Sequence, residues 1–584
     1  MRSRTRSNAG KYAPRAAAAL SARGLELRTH RAGLLLALAT ILLKSTIFAP
    51  ISWWPLAFVC LVPWLLLVGT AERAPRVYAY SFLMALAFFL LNMRWLYPAT
   101  GYGYAALSVY QALYFPLMAC PLRHAVRRRR WPLALVVPLV LVGSELLRAV
   151  AASGFPWFFL SHSLYKVLPL IQVSDLVGAH GVSFVVAAVN GATADLILVR
   201  KARPRDSGAV PSPRSARFGA AFAGGLLVLS AVYGFVQLSR DTTSPGPKIA
   251  VFQGDFLNTV YHDDSPEEEQ LTEEEKMQFY LSMMGEAAAH KPDLYLLPES
   301  PWYMYLNPEA RSLYPLSRVS FERLQRHATE HDAYVVTGSG SLIRTPLDFL
   351  AKFRAYNSAT VFRPDGSEPG RYDKIHLVYF GEVVPFRFGK LRFLYFWLNS
   401  LMPFSGPDGE VEYSIFRGKE FRAFTMQAAS VPGTTFKFGV PICYEDVMPY
   451  VSREFVCGGR PRKRVDLLLN ISNDGWFGRG VQQPQHLAIC VFRAVENRVG
   501  IARAVNTGVS GFIESSGRLH DLVGGNGTEE SGGNSGYAVA DVGVDSRYTL
   551  YSRYGDWFGW GCALAWLALF VDYGVARARA PREE

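Results

Sequence analysis

The chain has 584 residues, of which 50% are hydrophobic, 13% aromatic and only 19% charged, and its mean hydropathy is +0.11. This composition excludes a disordered chain, which would need low hydrophobicity and high charge, and it argues against a wholly cytosolic protein. The net charge of +13 taken alone would suggest a nucleic-acid partner, so the placement of the basic residues has to decide between nucleic acid and membrane.

Apolar residues are concentrated towards the two ends of the chain, in runs that approach the ~20 residues a membrane-spanning helix needs. The runs cover 33–49, 53–69, 77–97, 104–122, 132–151, 181–199, 217–237 and 557–575. A removable signal peptide does not explain the first run, because further apolar runs follow it. We therefore predict a multi-pass α-helical membrane domain with about eight spans.

Basic residues occupy every second connection between these runs, including four arginines at 127–130 and a basic stretch at 200–217. This alternation is the positive-inside pattern, with both chain termini in the cytoplasm, and nucleic-acid-binding arms would not produce it. We predict no nucleic-acid partner. The predicted organisation is a basic cytoplasmic tail (1–31), a membrane domain with about seven spans (32–240), an extracytoplasmic domain (241–550), a C-terminal transmembrane helix (551–576) and a cytoplasmic tail (577–584). In a bacterial inner membrane the outer domain would face the periplasm.

The outer domain reads as strands alternating with helices. Short apolar runs at 248–253, 293–297, 333–336, 356–362, 436–442, 465–471 and 500–504 predict strands, and 485–497 has helical spacing. This order favours an α/β layered fold. Three cysteines in this domain do not form a disulfide framework, so a hydrophobic core must hold it together. With no metal-ligand spacing in the sequence, we expect no metal and no cofactor.

Three polar residues directly follow predicted strands or lie close to them: Glu299, Lys374 and Cys443. A thiol at a strand end is a candidate nucleophile if a base can take its proton. A carboxylate in apolar surroundings can be that base, and an ammonium can stabilise an oxyanion together with backbone N–H groups. Each residue alone is more typical of packing, capping or solvation, and spacing does not favour this trio over a cysteine paired with His376 or His486.

The motifs around Glu299, Lys374 and Cys443 favour these three residues over the pairing of a cysteine with a histidine. The segments 297–299, 372–374 with 380–382, and 441–445 resemble the Glu-Lys-Cys signature of the nitrilase (carbon–nitrogen hydrolase) superfamily. With the spans on either side, the chain from about 32 to 575 resembles the apolipoprotein N-acyltransferase family. Supporting motifs occur in the same order along the chain, at 145–157, 177–184, 251–254, 356–358, 473–478 and 493–508.

The resemblance implies an αββα sandwich and acyl transfer in two half-reactions. An acyl chain from a phospholipid, typically phosphatidylethanolamine, would pass to a cysteine as a thioester and then to the α-amino group of a diacylglyceryl-cysteine at an apolipoprotein N-terminus. Cys443 would be the nucleophile, Glu299 the general base and acid, and Lys374 the oxyanion stabiliser. Supporting roles fall to three residues beside them, Glu382, Tyr444 and Glu445. Trp476 would contact lipid or acceptor, although packing explains Trp476, Glu382 and Glu445 nearly as well.

The segment 387–435 between Lys374 and Cys443 departs most from the family pattern. It contains the aromatic run 393–398, with Phe393 and Trp397 as candidate substrate contacts. Such a run could form core, or it could be a membrane-facing arm, because Trp is favoured at the bilayer interface. Two other functions stay open at this point: a membrane-tethered amidase or nitrilase that uses water as acceptor, and a catalytically silent membrane receptor.

Overall fold

A computed structural model describes residues 30–71, 73–201, 211–257, 271–344, 353–387, 389–399, 414–523 and 535–579. Its N-terminal part is helical. The helices are α1 (His30–Thr46), α2 (Val62–Thr70), α3 (Ala74–Asn92), α4 (Gly101–His124), α5 (Leu133–Val150), α6 (Leu168–Ile171), α7 (Ser174–Val177), α8 (Ala179–Lys201) and α9 (Pro213–Leu238), and α17 (Trp557–Ala578) lies near the C-terminus. All regular elements in the described part of the predicted membrane domain are therefore helices or helical turns, joined by non-helical segments.

Six helices in the described part of the chain are long and apolar enough to cross a membrane: α3, α4 with its extension to Arg129, α5 with its extension to Ser153, α8, α9 and α17. The expectation of about eight spans holds in outline, but two of the eight runs form shorter helices. Helix α1 has 17 residues. The second run divides into a 3₁₀ turn (Trp54–Phe58) and the nine-residue α2, each with a proline in its first turn. Proline lacks a backbone N–H, so each helix starts at its own proline instead of joining the other.

The outer domain contains two six-stranded sheets. Their strands are β2 (Lys248–Gln253), β3 (Leu294–Leu296), β4 (Tyr334–Arg344), β5 (Phe353–Phe362), β6 (Gly370–Asp373), β7 (Ala423–Gln427), β8 (Thr435–Gly439), β9 (Leu467–Ser472), β10 (Gly500–Val505), β11 (Gly511–Ile513), β12 (Leu519–His520) and β13 (Gly536–Asp541). The first sheet has the order β13-β2-β3-β4-β5-β6 and the second the order β12-β11-β10-β9-β8-β7. A two-stranded sheet pairs β1 (Thr243–Ser244) with β14 (Val544–Asp545). The seven predicted strands all occur, five of them with ends shifted by up to three residues and β4 much longer than predicted.

Helices cover the outer faces of the two sheets. On the first sheet, Val336 and Val361 belong to the core between the sheets, while Val335 and Phe362 pack outwards with the helices. This alternation is the two-residue period of a strand. The remaining helices are α10 (Glu273–Ala287), α11 (Pro308–Leu313), α12 (Pro315–Glu330), α13 (Arg392–Asn399), α14 (Pro449–Val456), α15 (Gln482–Asn497) and α16 (Leu550–Tyr554). The described part of the domain has the layers of the predicted αββα sandwich.

Helix α15 connects the sandwich to the membrane domain. All of its residues except Pro484 are buried, because one side packs on the second sheet and the other meets membrane-domain segments. Trp157 donates an indole hydrogen bond to the Gln485 Oε1 atom at 3.0 Å, and Glu496 Oε1 accepts the Ala179 backbone N–H at 2.9 Å. The two domains therefore share one buried polar interface.

Candidate active site

The three predicted catalytic residues lie just beyond strand ends, as the sequence suggested. Glu299 follows β3, Lys374 follows β6 directly, and Cys443 follows β8. The Cys443 segment is fixed at this edge by a bridge between Ile442 and Ile471 of the central strand β9. Strand ends from both sheets meet at this edge, so side chains separated by 144 residues of sequence share one site.

Lys374 and two carboxylates form the polar centre of the site. The Lys374 Nζ atom lies 2.8 Å from Glu382 Oε1 and 3.9 Å from Glu299 Oε1. Lys374 is 1% exposed and Glu299 5%, which removes both groups from solvent and strengthens their electrostatic interaction. Burial alone would lower the Lys374 pKa, but the nearby Glu382, Cys443 and Glu299 outweigh it and raise that pKa. Lys374 is therefore a permanent cation at the site.

Glu299 and Cys443 can exchange a proton. Burial raises the pKa of Glu299 above its usual range, with Lys374 opposing the shift. Burial and the Glu299 charge raise the Cys443 pKa well above that of a free thiol, so the resting group is a neutral thiol. Glu299 Oε2 is buried and has no partner of full hydrogen-bond geometry among the described residues, while the Cys443 thiol lies close enough to act on the Glu299 pKa as a hydrogen-bond donor. This carboxylate oxygen is consequently available to take a proton.

Cys443 has a strained backbone. Its φ is +52°, a left-handed conformation that non-glycine residues seldom adopt, and it starts the 3₁₀ turn Cys443–Asp446. Such strain persists only where the surrounding structure enforces it, and it clusters at functional sites. The thiol therefore lies at a sharp change of chain direction and is only partly buried.

Glu445 holds the two halves of the site together. Its carboxylate accepts hydrogen bonds from the Tyr372 hydroxyl at 2.8 Å and from the backbone N–H groups of Ile375, His376 and Ile442 at 2.7, 3.0 and 2.9 Å. These donors flank Lys374 on one side and Cys443 on the other. The Glu445 carboxylate therefore anchors the chain on both sides of the site, and its supporting role in catalysis stays a prediction.

Asn357 is a further residue of the site; it lies in the motif at 356–358, but the sequence alone predicts no role for it. Its side-chain amide donates to Glu299 Oε1 at 2.7 Å and to Glu382 Oε1 at 3.1 Å. Asn357 thus fixes both carboxylates relative to Lys374. The signal that could have identified it is a carboxamide at an inward-facing strand position, one strand from the lysine.

Tyr444 connects the site to the membrane domain. Its hydroxyl donates to the Gly154 carbonyl oxygen at 3.0 Å. Gly154 has a φ of +83°, and a Cβ there would lie 2.1 Å from the Ala149 carbonyl oxygen, so the turn requires glycine. The residue next to Cys443 is in this way positioned by a membrane-domain loop.

The two histidines that spacing left open as partners of the cysteine have other neighbours. His376 bonds to the Tyr450 hydroxyl at 2.8 Å, and burial together with the Lys374 charge lowers the pKa of His376 to about 4. His486 lies between Asp446 (2.6 Å) and Asp474 (2.9 Å). Burial opposes its charge, but these two carboxylates prevail and raise the pKa of His486 to about 9.

The predicted substrate contacts are exposed aromatic side chains. Trp476 is 45% exposed on the 3₁₀ turn Asp474–Phe477. Phe393 and Trp397 lie on α13 and are 65% and 59% exposed, whereas Tyr395 of the same helix is buried. Residues 388 and 400–413 of the predicted arm (387–435) lie outside the described residues, and its last part belongs to the sandwich instead, because 423–427 form β7, which pairs with β8. Among the described residues, no group of three or more His, Cys, Asp or Glu side chains is arranged to hold a metal ion.

Comparison with known proteins agrees with the two-domain architecture. Residues 39–192 match the family model for the apolipoprotein N-acyltransferase N-terminal domain, and residues 248–541 match that for carbon–nitrogen hydrolase. An apolipoprotein N-acyltransferase from Geobacter metallireducens is 30% identical over 87% of this chain and 89% of its own length. One from Rhodopirellula baltica is 28% identical over 90% and 96% of the two chains. Among solved structures, an amidase from Nesterenkonia sp. is 16% identical, covers 55% of this chain and 98% of its own, and has a TM-score of 0.34.

Proposed function

Because the chain belongs to the apolipoprotein N-acyltransferase family, we propose that it transfers an acyl chain from a membrane phospholipid to the N-terminal amino group of lipoproteins, through a thioester on Cys443. The observation that carries this assignment is the cluster of Glu299, Lys374 and the partly buried Cys443, in which a thiol, a carboxylate of raised pKa and a permanent cation meet. A catalytically silent receptor would have no use for these three groups.

In the first half-reaction Glu299 takes the Cys443 proton as the sulfur attacks the carbonyl carbon of the donor ester. The resulting oxyanion is stabilised by the Lys374 ammonium. When the tetrahedral intermediate collapses, the ester C–O bond breaks, and Glu299 returns the proton to the departing glycerol oxygen. The products are the Cys443 thioester and a lysophospholipid. A raised pKa suits Glu299 to both duties, because catalysis is best when the pKa lies near the working pH.

In the second half-reaction the neutral α-amino group of the acceptor attacks the thioester carbonyl. Glu299 accepts a proton from the attacking nitrogen, the C–S bond breaks, and the proton passes to the Cys443 sulfur. The new amide leaves with the acceptor and the free thiol is restored. Glu382 and Asn357 act indirectly, by holding Lys374 and Glu299 in place.

We further infer that the donor is phosphatidylethanolamine-like, that the acceptor is a diacylated apolipoprotein, and that the enzyme lies in a bacterial inner membrane with the catalytic domain facing the periplasm. The positive-inside alternation of basic residues supports this orientation. An enzyme built into the bilayer meets both lipid substrates by lateral diffusion. A soluble enzyme would have to extract each chain, at ~0.8 kcal/mol for every CH₂ group.

We also propose that α13 is part of a membrane-facing arm. Its exposed Phe393 and Trp397 project from a short helix anchored by the buried Tyr395. Exposed aromatic rings on a domain that stands at a bilayer are suited to the interface, where Trp is favoured. This position would let them contact acyl chains that approach Cys443.

The experiment is to incubate the purified protein with labelled phospholipid, with and without a diacylated lipopeptide. Without acceptor, a hydroxylamine-sensitive acyl-enzyme should accumulate; with acceptor, triacylated product should form with ping-pong kinetics. Cys443→Ala should abolish both products and leave the thermal unfolding midpoint nearly unchanged, and Cys120→Ala is the matched control that should stay active. Appreciable product from Cys443→Ala would refute the nucleophile assignment, and hydrolysis of soluble amides without any lipid requirement would favour the amidase alternative.

A further inference from the structure

One row of residues crosses the first sheet from the catalytic lysine towards the edge of the site. The Lys374 N–H donates to the Asn357 carbonyl oxygen at 2.8 Å. Asn357 is paired with Gly340 of β4, and Gly340 is bridged in turn to Tyr305. Neighbouring strands lie about 4.8 Å apart, and paired residues point to the same face. The Tyr305 side chain therefore stands on the face that carries Asn357.

The segment that contains Tyr305 returns to the sheet after Glu299 and forms a short extra rung on β4. Gly340 N–H donates to the Met304 carbonyl oxygen at 2.9 Å, and Leu306 N–H donates to the Gly340 carbonyl oxygen at 3.3 Å. Met304 and Leu306 pack into the outer core with the helices, so Tyr305 between them points inwards. A Cβ at Gly340 would lie 2.4 Å from the Tyr305 ring, and the ring consequently covers Gly340, beside Asn357.

Two more tyrosines contact the Tyr305 ring and continue the aromatic surface towards solvent. The Tyr303 and Tyr305 hydroxyls are hydrogen-bonded to each other, with ring centroids 5.3 Å apart, and the Tyr314 ring lies 5.5 Å from that of Tyr305. Tyr303 is 65% exposed and Tyr314 45%. We call Tyr303, Tyr305 and Tyr314 the tyrosine surface. The tyrosine surface begins next to the Asn357 side chain, which donates to the Glu299 and Glu382 carboxylates, and it ends in solvent.

We propose that the tyrosine surface binds the polypeptide of the acceptor lipoprotein, namely the residues that follow its lipidated first residue. This inference rests on the proposed function. The reacting nitrogen belongs to residue 1 of the acceptor. At ~3.5 Å per residue, residues 2–4 of the acceptor therefore lie within about 10 Å of that nitrogen. The Tyr305 backbone lies two strand spacings, roughly 10 Å, from that of Asn357, and Tyr303 and Tyr314 beyond it are exposed.

The chemistry of the surface fits a polypeptide of variable sequence. Tyrosine offers a flat apolar face and a hydroxyl that both donates and accepts hydrogen bonds, and few of its torsions are lost on binding. The exposed rings of α13 are those of Phe393, Phe396 and Trp397, which lack hydroxyl groups and suit acyl chains. The two aromatic surfaces thus separate the peptide part of the acceptor from the lipid parts of the substrates.

The test compares two acceptors that differ only in polypeptide: diacylglyceryl-cysteine amide and a diacylated lipopeptide with four further residues. In the Tyr303→Ala/Tyr314→Ala variant, KM for the lipopeptide should rise about tenfold, as expected for two contact residues. KM for the amide and the rate of thioester formation should stay at wild-type values. Tyr554→Ala, which removes an exposed tyrosine at the end of α16, is the matched control.

Tyr303→Phe/Tyr314→Phe keeps the rings and should restore most of the affinity, which distinguishes a contact from a folding effect. Equal KM changes for both acceptors, or no change for the lipopeptide in either double variant, would overturn the tyrosine surface as a peptide site. If the wild type forms neither thioester nor triacylated product, the proposed function itself fails, and that result is read from the wild type alone.

Discussion

The Glu445 carboxylate receives hydrogen bonds from both chain segments that carry the catalytic groups. Glu445→Gln retains one acceptor oxygen but turns an N–H₂ group towards donors. We expect the variant to lose about 2 kcal/mol of stability, the cost of unsatisfied buried groups, and to accumulate thioester much more slowly. Thermal unfolding in detergent and trapped acyl-enzyme measure the two effects. Glu454→Gln is a matched surface control, and wild-type rates in Glu445→Gln would show that the anchoring is unimportant.

His486 makes stability depend on pH. Its folded pKa of about 9 exceeds the unfolded value of about 6.5, so the native state binds the extra proton between these values. The stabilisation is complete below pH 6.5 and is lost as the pH rises through 9. We expect the unfolding midpoint of the wild type to fall by several degrees over this range. His486→Gln should be less stable at pH 6.5 and nearly independent of pH, and a parallel decline in both proteins would contradict the assignment.

At the scale of single elements, the sequence predicted strands that are buried on both faces better than the rest. The run 248–253 agrees with β2 to the residue, because continuous apolar runs signal buried strands. Strand β6 (Gly370–Asp373) is not predicted from the sequence. Its four positions alternate between buried and partly exposed, and four residues are too few to show a period. The helix α12 was also missed, since its mean character is polar and only one face is buried. Both depend on neighbours that are distant in sequence.

Substitutions in helix α13 should distinguish an effect on lipid contact from an effect on stability. Replacing Phe393, Phe396, Trp397 and Leu398 by Ser should slow transfer from phospholipid much more than it lowers the unfolding midpoint, because the first three side chains are exposed. A short water-soluble thioester donor should be affected far less. Tyr395→Ser, which removes the buried residue of the same helix, should instead destabilise the protein. Equal loss with both donors would exclude a role in lipid access.

At the scale of the whole molecule, a buried ion pair joins the domains. Arg498 follows α15 and bonds to Asp175 of α7 at 3.0 Å through its Nε atom, and Tyr233 of α9 donates to the same carboxylate at 2.8 Å. Asp175→Ala leaves the fully buried guanidinium without its counter-ion, which should cost ~3–5 kcal/mol. The unfolding midpoint should drop accordingly, with Asp541→Ala as an exposed control. A drop no greater than that of the control would mean that the domains fold independently.

The site illustrates what a single sequence can and cannot supply at this scale. The motif resemblance identified Glu299, Lys374 and Cys443, and the structure brings Lys374 within 3.9 Å of Glu299. The sequence could not reveal the contact between Tyr444 and Gly154, which joins two domains across 290 residues of sequence. Nor could it reveal the Tyr305–Gly340–Asn357 row, because strand register depends on which strands become neighbours.

The distribution of the six unpaired cysteines has a practical consequence. Cys60, Cys457, Cys490 and Cys562 are buried, and only Cys443 and Cys120 are partly accessible; Cys120 lies on α4, one of the helices long and apolar enough to cross a membrane, where a water-soluble reagent should not reach it. A charged, membrane-impermeant maleimide should therefore modify a single thiol per chain, slowly and faster at higher pH, because the neutral Cys443 thiol must first lose its proton. Once Cys443 carries an acyl chain, the maleimide has no thiol to alkylate. The fraction of chains that the maleimide leaves unmodified therefore equals the fraction of acyl-enzyme. Its decay with time gives the lifetime of the thioester without a radiolabelled lipid.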